Sequence, residues 1–197
     1  MESFILSKIS ESIAVKSRLA KDRDLLEIIK KAAWQIIHVF QSGGKVLFCG
    51  NGGSAADAQH LAAEFSGRFY FDRDPLFAEA LHVNSSYITA VANDYSYDEV
   101  YARLVKAKGA KGDILIGIST SGNSKNIIRA FQECKKSEVS TIALTGSTGG
   151  QMKAETDLLI NVPSTDTPRI QETHILIGHI ICEIVERELF KEKEYDR

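Results

Sequence analysis

Asp57, His60 and Glu64 are spaced three and four residues apart, the interval that puts side chains on one face of an α-helix. An imidazole and a carboxylate at i, i+4 suit two kinds of chemistry: joint ligation of one metal ion, or an acid/base pair that moves a proton. A solvated polar helix face has the same pattern, so the neighbouring residues must separate these readings. Immediately upstream runs Val46-Leu-Phe-Cys49-Gly50-Asn51-Gly52-Gly53-Ser54. This reads as a short buried strand, a glycine turn and a helix N-terminus capped at Ser54. The free N–H groups of such a helix start attract an anion, so the turn and the polar helix face would border one pocket. The glycines also fit G-x-G-x-x-A, a dinucleotide fingerprint. The next strand candidate, residues 78–83, is followed by Asn84-Ser85-Ser86. No carboxylate stands there for a ribose, which leaves NAD binding a minor alternative.

A second hydroxyl-rich stretch, Ser119-Thr120-Ser121-Gly122-Asn123-Ser124, follows an apolar strand and precedes a helix. Four hydroxyls and free N–H groups suit the oxygens of a phosphate monoester better than an ordinary capped turn. G-x-x-x-x-G-K-[ST] is absent, and the six residues hold no basic side chain, so a small sugar phosphate fits better than a polyphosphate. The last helix carries Gln171, Glu172, His174 and His179 in an apolar run. Gln171 and His179 lie roughly 80° apart around a helix and can converge on one site. His179 follows Gly178, which allows close packing. His38, His82 and His174 read as core histidines.

The elements that must position these groups alternate. Residues 2–41 form two helices with a polar break at Lys21-Asp22-Arg23-Asp24, ended by Ser42-Gly43-Gly44. Strands are expected at 78–83, 113–118, 140–145 and 158–162 as well as at 46–49. Helices are expected at 99–106, 126–136 and 169–190, with a helical turn at 86–93. Pro168 is well placed at the start of the last helix. Alternation of this kind implies a parallel sheet covered on both faces, with ligands at the carboxyl ends of the strands. Residues 50–54 and 119–124 then share one rim.

The 197 residues suffice for one well-buried domain, and 44% hydrophobic and 25% charged residues suit a soluble globular chain. A net charge of −2 argues against a general nucleic-acid binder. No apolar run is long enough for a bilayer, and the start, Met-Glu-Ser-Phe-Ile, lacks the pattern of a signal peptide. Cys49, Cys134 and Cys182 read as reduced core thiols of a cytoplasmic protein.

Cys49-Gly-Asn-Gly-Gly-Ser54 with Asp57, His60 and Glu64 resembles the phosphoheptose isomerases of the sugar isomerase (SIS) domain superfamily. So do Asn93-Asp94, Gly117-Ile-Ser-Thr-Ser-Gly-Asn-Ser124, Leu144-Thr-Gly146, and Arg169-Ile-Gln-Glu172 with His179. The resemblance covers essentially the whole chain. It implies a three-layer α/β sandwich with a flavodoxin-like parallel sheet, in which residues 43–197 form the core and residues 1–42 form helices used in oligomerisation. It further implies a cytoplasmic homotetramer, with no nucleic-acid or membrane partner. The implied activity is conversion of sedoheptulose 7-phosphate to a heptose 7-phosphate for lipopolysaccharide core or another surface glycan. One zinc ion per subunit would be held by His60, Glu64, Gln171 and His179. Glu64 and His179 match the acid/base pair. Asn51, Gly52, Gly53, Glu64, Asn93, Asp94, Ser119, Thr120, Ser121, Ser124 and Gln171 match substrate-binding positions. A non-catalytic relative that associates with the replication initiator is the alternative; it lacks the Glu and His found here at 64 and 179. A sugar-phosphate-sensing regulator would carry a DNA-binding segment, and residues 1–41 lack the basic character for one.

Overall fold

The computed structural model describes residues 1–190. Five strands, β1 (Val46–Gly50), β2 (Ala78–Ala80), β3 (Ile114–Ser119), β4 (Ser140–Thr145) and β5 (Leu158–Asn161), form one sheet in the order β2-β1-β3-β4-β5. Every pairing is parallel. The helices are α1 (Glu2–Lys21), α2 (Arg23–Gln41), α3 (Gly53–Ser66), α4 (Ser85–Asp94), α5 (Val100–Lys108), α6 (Lys125–Ser137) and α7 (Thr167–Leu189). This is the expected three-layer α/β sandwich with flavodoxin-like strand order.

The layers follow from the period-two geometry of wholly buried strands. Val46, Phe48, Ile114, Ile116, Ile118, Ile142 and Leu144 point to one face, where they pack with α2, α3 and α7. Leu47, Cys49, Leu115 and Ala143 point to the other, against α5 and α6. The three cysteines are buried and free, as expected. Among the described residues no helix is long and apolar enough to cross a membrane.

Several local expectations change. The strand at 78–83 shortens to Ala78–Ala80, because this edge strand pairs with β1 alone and leaves it after Leu81 N–H donates to Phe48 O at 2.9 Å. The helical turn at 86–93 is a full helix, α4, with the Asn84 side chain capping Tyr87 N–H at 3.0 Å. Ser54 does not cap α3. Gly52 holds the cap position with φ +56°, a conformation glycine adopts without steric cost, and Ser54 is buried inside the first turn. The break between α1 and α2 falls at Asp22, whose carboxylate accepts from Leu25 N–H at 3.0 Å. His38 is exposed and His82 only half-buried, while His174 is buried as expected. Helix α1 buries Val15 and Leu19 but leaves Phe4, Ile5, Leu6, Ile9 and Ile13 each more than half exposed.

Candidate functional site

The sheet reverses its winding between β1 and β3. The chain leaves β1 towards β2 on one side and returns as β3 on the other. Helix α3, after β1, packs on one face, and α6, after β3, packs on the other. Two loops that diverge to opposite faces leave a crevice at the carboxyl edge, the usual ligand position in open α/β sheets. Residues 50–53 form one lip and residues 119–124 the other, so the shared rim follows from strand order.

Asn51 and Asn126 bridge the lips with a reciprocal amide pair. Asn51 Nδ2 donates to Asn126 Oδ1 at 3.0 Å, and Asn126 Nδ2 donates to Asn51 Oδ1 at 2.9 Å. The Tyr97 hydroxyl adds a donor to Asn51 Oδ1 at 3.2 Å. Beneath them the buried Tyr101 hydroxyl donates to Gly50 O. On the serine lip, Ser119 Oγ lies 2.9 Å from Ser124 Oγ and 3.5 Å from Ser121 Oγ. Ser124 occupies the N-cap of α6 without spending its hydroxyl on the helix. Three hydroxyls thus cluster beside a helix N-terminus, an arrangement suited to an oxyanion. The loop is pinned from behind: Gly146 N–H donates to Thr120 O at 3.0 Å and Met152 N–H to Gly122 O at 2.9 Å. Gly122, at φ +66°, sits where a β-carbon would meet Gly149 O at 2.2 Å. Asn93 and Asp94 end α4, exposed, with Asn93 Nδ2 donating to Asp94 Oδ1 at 2.9 Å.

The second half of the site lies between α3 and α7. His60 Nε2 is 2.9 Å from His179 Nε2 and 3.1 Å from Glu64 Oε1. The ligand atoms of His60, Glu64 and His179 all lie within 4.8 Å of one another. Two imidazole nitrogens and a carboxylate oxygen converging on one point are a donor set that suits zinc. Two Nε2 atoms at 2.9 Å can share at most one hydrogen bond, so a cation would satisfy both lone pairs at once. The Gln171 carboxamide packs on Gly53, where a β-carbon would lie 2.6 Å from Gln171 Nε2. A β-carbon on Gly178 would lie 2.6 Å from both δ-carbons of Leu61, so this glycine lets α7 approach α3. Asp57, one turn before His60, has Oδ2 buried without a hydrogen-bond partner. Burial raises its carboxyl above the ordinary range, against an opposing pull from His60.

Sequence reasoning missed Asn126, Tyr97 and Tyr101, and also Phe69, whose ring packs beside that of His179, and the buried Arg73–Glu186 pair behind it. Asn126 and Glu186 left a trace, each a polar residue among the buried positions of an amphipathic helix. Arg73 lies in the loop between α3 and β2, beyond the aromatic run Phe69-Tyr70-Phe71, and left none.

Residues 10–146 match the model of the SIS domain family. Phosphoheptose isomerase 2 of Campylobacter jejuni is 54% identical over 190 residues, which span 96% of this chain and 94% of that protein. A phosphoheptose isomerase of Aneurinibacillus thermoaerophilus is 51% identical over 98% of both chains. The solved phosphoheptose isomerase of Neisseria gonorrhoeae superposes with a TM-score of 0.88 at 42% identity, over 94% of this chain and 98% of that one. Against the enzyme of Francisella tularensis the TM-score is 0.90 at 39% identity, over 94% and 97%. Similarity at this level, over nearly the full length of each relative, establishes that the chain belongs to the phosphoheptose isomerases of the SIS domain family.

Proposed function

We propose that the protein converts D-sedoheptulose 7-phosphate to D-glycero-D-manno-heptose 7-phosphate through an enediol, the first step towards activated heptose for lipopolysaccharide core or another surface glycan. The observation that carries this reading is the approach of the Glu64 carboxylate to His60 and His179 in a chain whose hydroxyl-rich rim suits a phosphate. Ser119, Thr120, Ser121 and Ser124 would hold the phosphate, with the N-terminus of α6 contributing its dipole. The backbone of Gly52 and Gly53, with Asn51, Asn93, Asp94 and Gln171, would orient the sugar chain.

Glu64 takes the proton from C1 of the ketose, exchanges it with solvent, and delivers a proton to C2 of the enediol. His179 carries the matching proton between the two oxygens. A nitrogen that ligates a cation holds no proton, so His179 Nε2 is ligand or acid at any one moment, not both. Glu64 has two oxygens and can serve both roles. His60, Glu64, Gln171 and His179 would hold one zinc ion per subunit, which supplies a Lewis acid for the sugar carbonyl. Both Glu64 and His179 are present, which argues against a non-catalytic role in replication.

The enzyme would work as a cytoplasmic homotetramer, with residues 1–42 used in assembly. The exposed apolar stripe of α1 supports this, since a monomer would leave it in water. Incubation with the ketose phosphate in heavy water tests the function. The expected product is a heptose phosphate bearing deuterium at C2, and absence of product with zinc supplied would overturn the reading.

A further inference from the structure

Helices α3 and α7 carry His60, Glu64, Gln171 and His179, so the site depends on how these helices are braced. At their far ends Arg73 and Glu186 form an ion pair whose side chains are 0% and 1% exposed. Arg73 Nε donates to Glu186 Oε1 at 2.9 Å, Nη2 to the backbone oxygen of Glu64 at 2.8 Å, and Nη1 to that of Phe65 at 2.9 Å. The guanidinium therefore caps the C-terminal turn of the helix that carries Glu64. The Glu186 carboxylate also accepts from three consecutive backbone N–H groups, Phe69 at 3.0 Å, Tyr70 at 2.7 Å and Phe71 at 3.2 Å.

Burying two charges is weak evidence for added stability, because desolvation offsets their attraction. What this pair accomplishes is geometric. It holds the backbone of residues 69–71 on α7, seven residues beyond His179 and thus near the same helix face. The Phe69 ring then stands 5.6 Å from the His179 ring, centroid to centroid, with the planes 34° apart. The His179 ring also meets the His60 ring edge-on, with centroids 5.1 Å apart and planes at 60°.

We propose that Phe69 is a positioning residue for His179. Held by the Arg73–Glu186 pair, it confines the imidazole to the rotamer that points Nε2 at His60 and Glu64. This rests on the reading of His60, Glu64 and His179 as the reaction centre. Without the ring, His179 gains rotameric freedom, and both ligation and proton transfer lose a preset geometry.

The test uses Phe69→Ala and Phe69→Leu in the full chain, with zinc affinity measured by chelator competition alongside kcat, KM and the melting temperature. Phe69 is only partly buried, so both variants should fold. Outer groups that orient metal ligands are worth about 10–100-fold in affinity or activity. Phe69→Ala is expected to lose at least about tenfold in zinc affinity and in kcat, with KM within about twofold, and Phe69→Leu to recover most of both. Wild-type kcat and zinc affinity in Phe69→Ala, or a change in KM or melting temperature alone, would overturn the proposal. A wild-type protein that neither binds zinc nor turns over substrate would instead remove the reaction-centre reading beneath it.

Discussion

Replacing His174 with Gln should flatten the acid side of the stability profile. His174 is wholly buried on α7; its Nε2–H donates to Thr145 O at 3.1 Å, and its Nδ1 has no partner. Protonation would add a charge and an Nδ1–H donor with nothing to receive them. Burial accordingly brings the imidazole from an ordinary 6.5 down to about 4. In the unfolded chain it titrates near its ordinary value. Between those two values the unfolded state binds the extra proton, so stability present above pH 6.5 is lost as the pH falls towards 4. Linkage puts that loss at about 2 kcal/mol between pH 7 and pH 5, from a total of order 5–15 kcal/mol for a typical domain. Gln at 174 keeps an amide donor for Thr145 O and does not titrate. Chemical denaturation at the two pH values reads the difference: wild type should lose about 2 kcal/mol more than His174→Gln. Equal losses would refute the reasoning. His82, half-buried and lowered by the same cause, acts in the same direction in both proteins and cancels. The contact also bears on the rim, since Gly146, next to Thr145, donates to Thr120 O.

Three further outcomes are expected. Glu64→Gln keeps the side-chain shape and removes the base, so turnover in a coupled isomerase assay should fall by about 10²–10⁴-fold while the fold is retained. Ser119→Ala with Ser124→Ala removes two neutral donors, each worth about 1.5–3 kcal/mol towards a charged partner; the KM for the ketose phosphate should rise at least about tenfold, and an unchanged KM would place the phosphate elsewhere. Gly178→Ala puts a methyl group 2.6 Å from the Leu61 δ-carbons and should cost about 1–3 kcal/mol by denaturation. Combined with Leu61→Ala it should cost less than the sum of the single changes, and strict additivity would show that the two residues do not meet.

The local pieces were legible in the chain. Apolar runs identified the strands, and a fully buried strand needs nothing more than such a run. The glycine turn at 50–53, the i, i+4 spacing of His60 and Glu64, and the hydroxyls at 119–124 follow from covalent geometry and turn chemistry. Their meeting at one rim followed from the alternation of strands with helices. Ser54 misled because a serine before alanines resembles a cap, whereas the backbone needed the positive φ of Gly52 one step earlier. His38 and His174 both sit among apolar neighbours in sequence, yet one is exposed and one buried. Periodicity says which residues share a face; the packing of whole elements decides which face turns inward.

The tertiary structure alone decided the pairings between distant segments. His60 meets His179, Asn51 meets Asn126, and Arg73 meets Glu186 across 119, 75 and 113 residues of sequence. Hydrogen bonds at 3 Å demand that two elements cross at one angle, one register and one separation. Those quantities are set by side-chain volumes across the whole interface, such as the missing β-carbon of Gly178 against Leu61. Spacing along the chain carries the first kind of information and not the second, because it fixes directions within an element and says nothing of the distance between two.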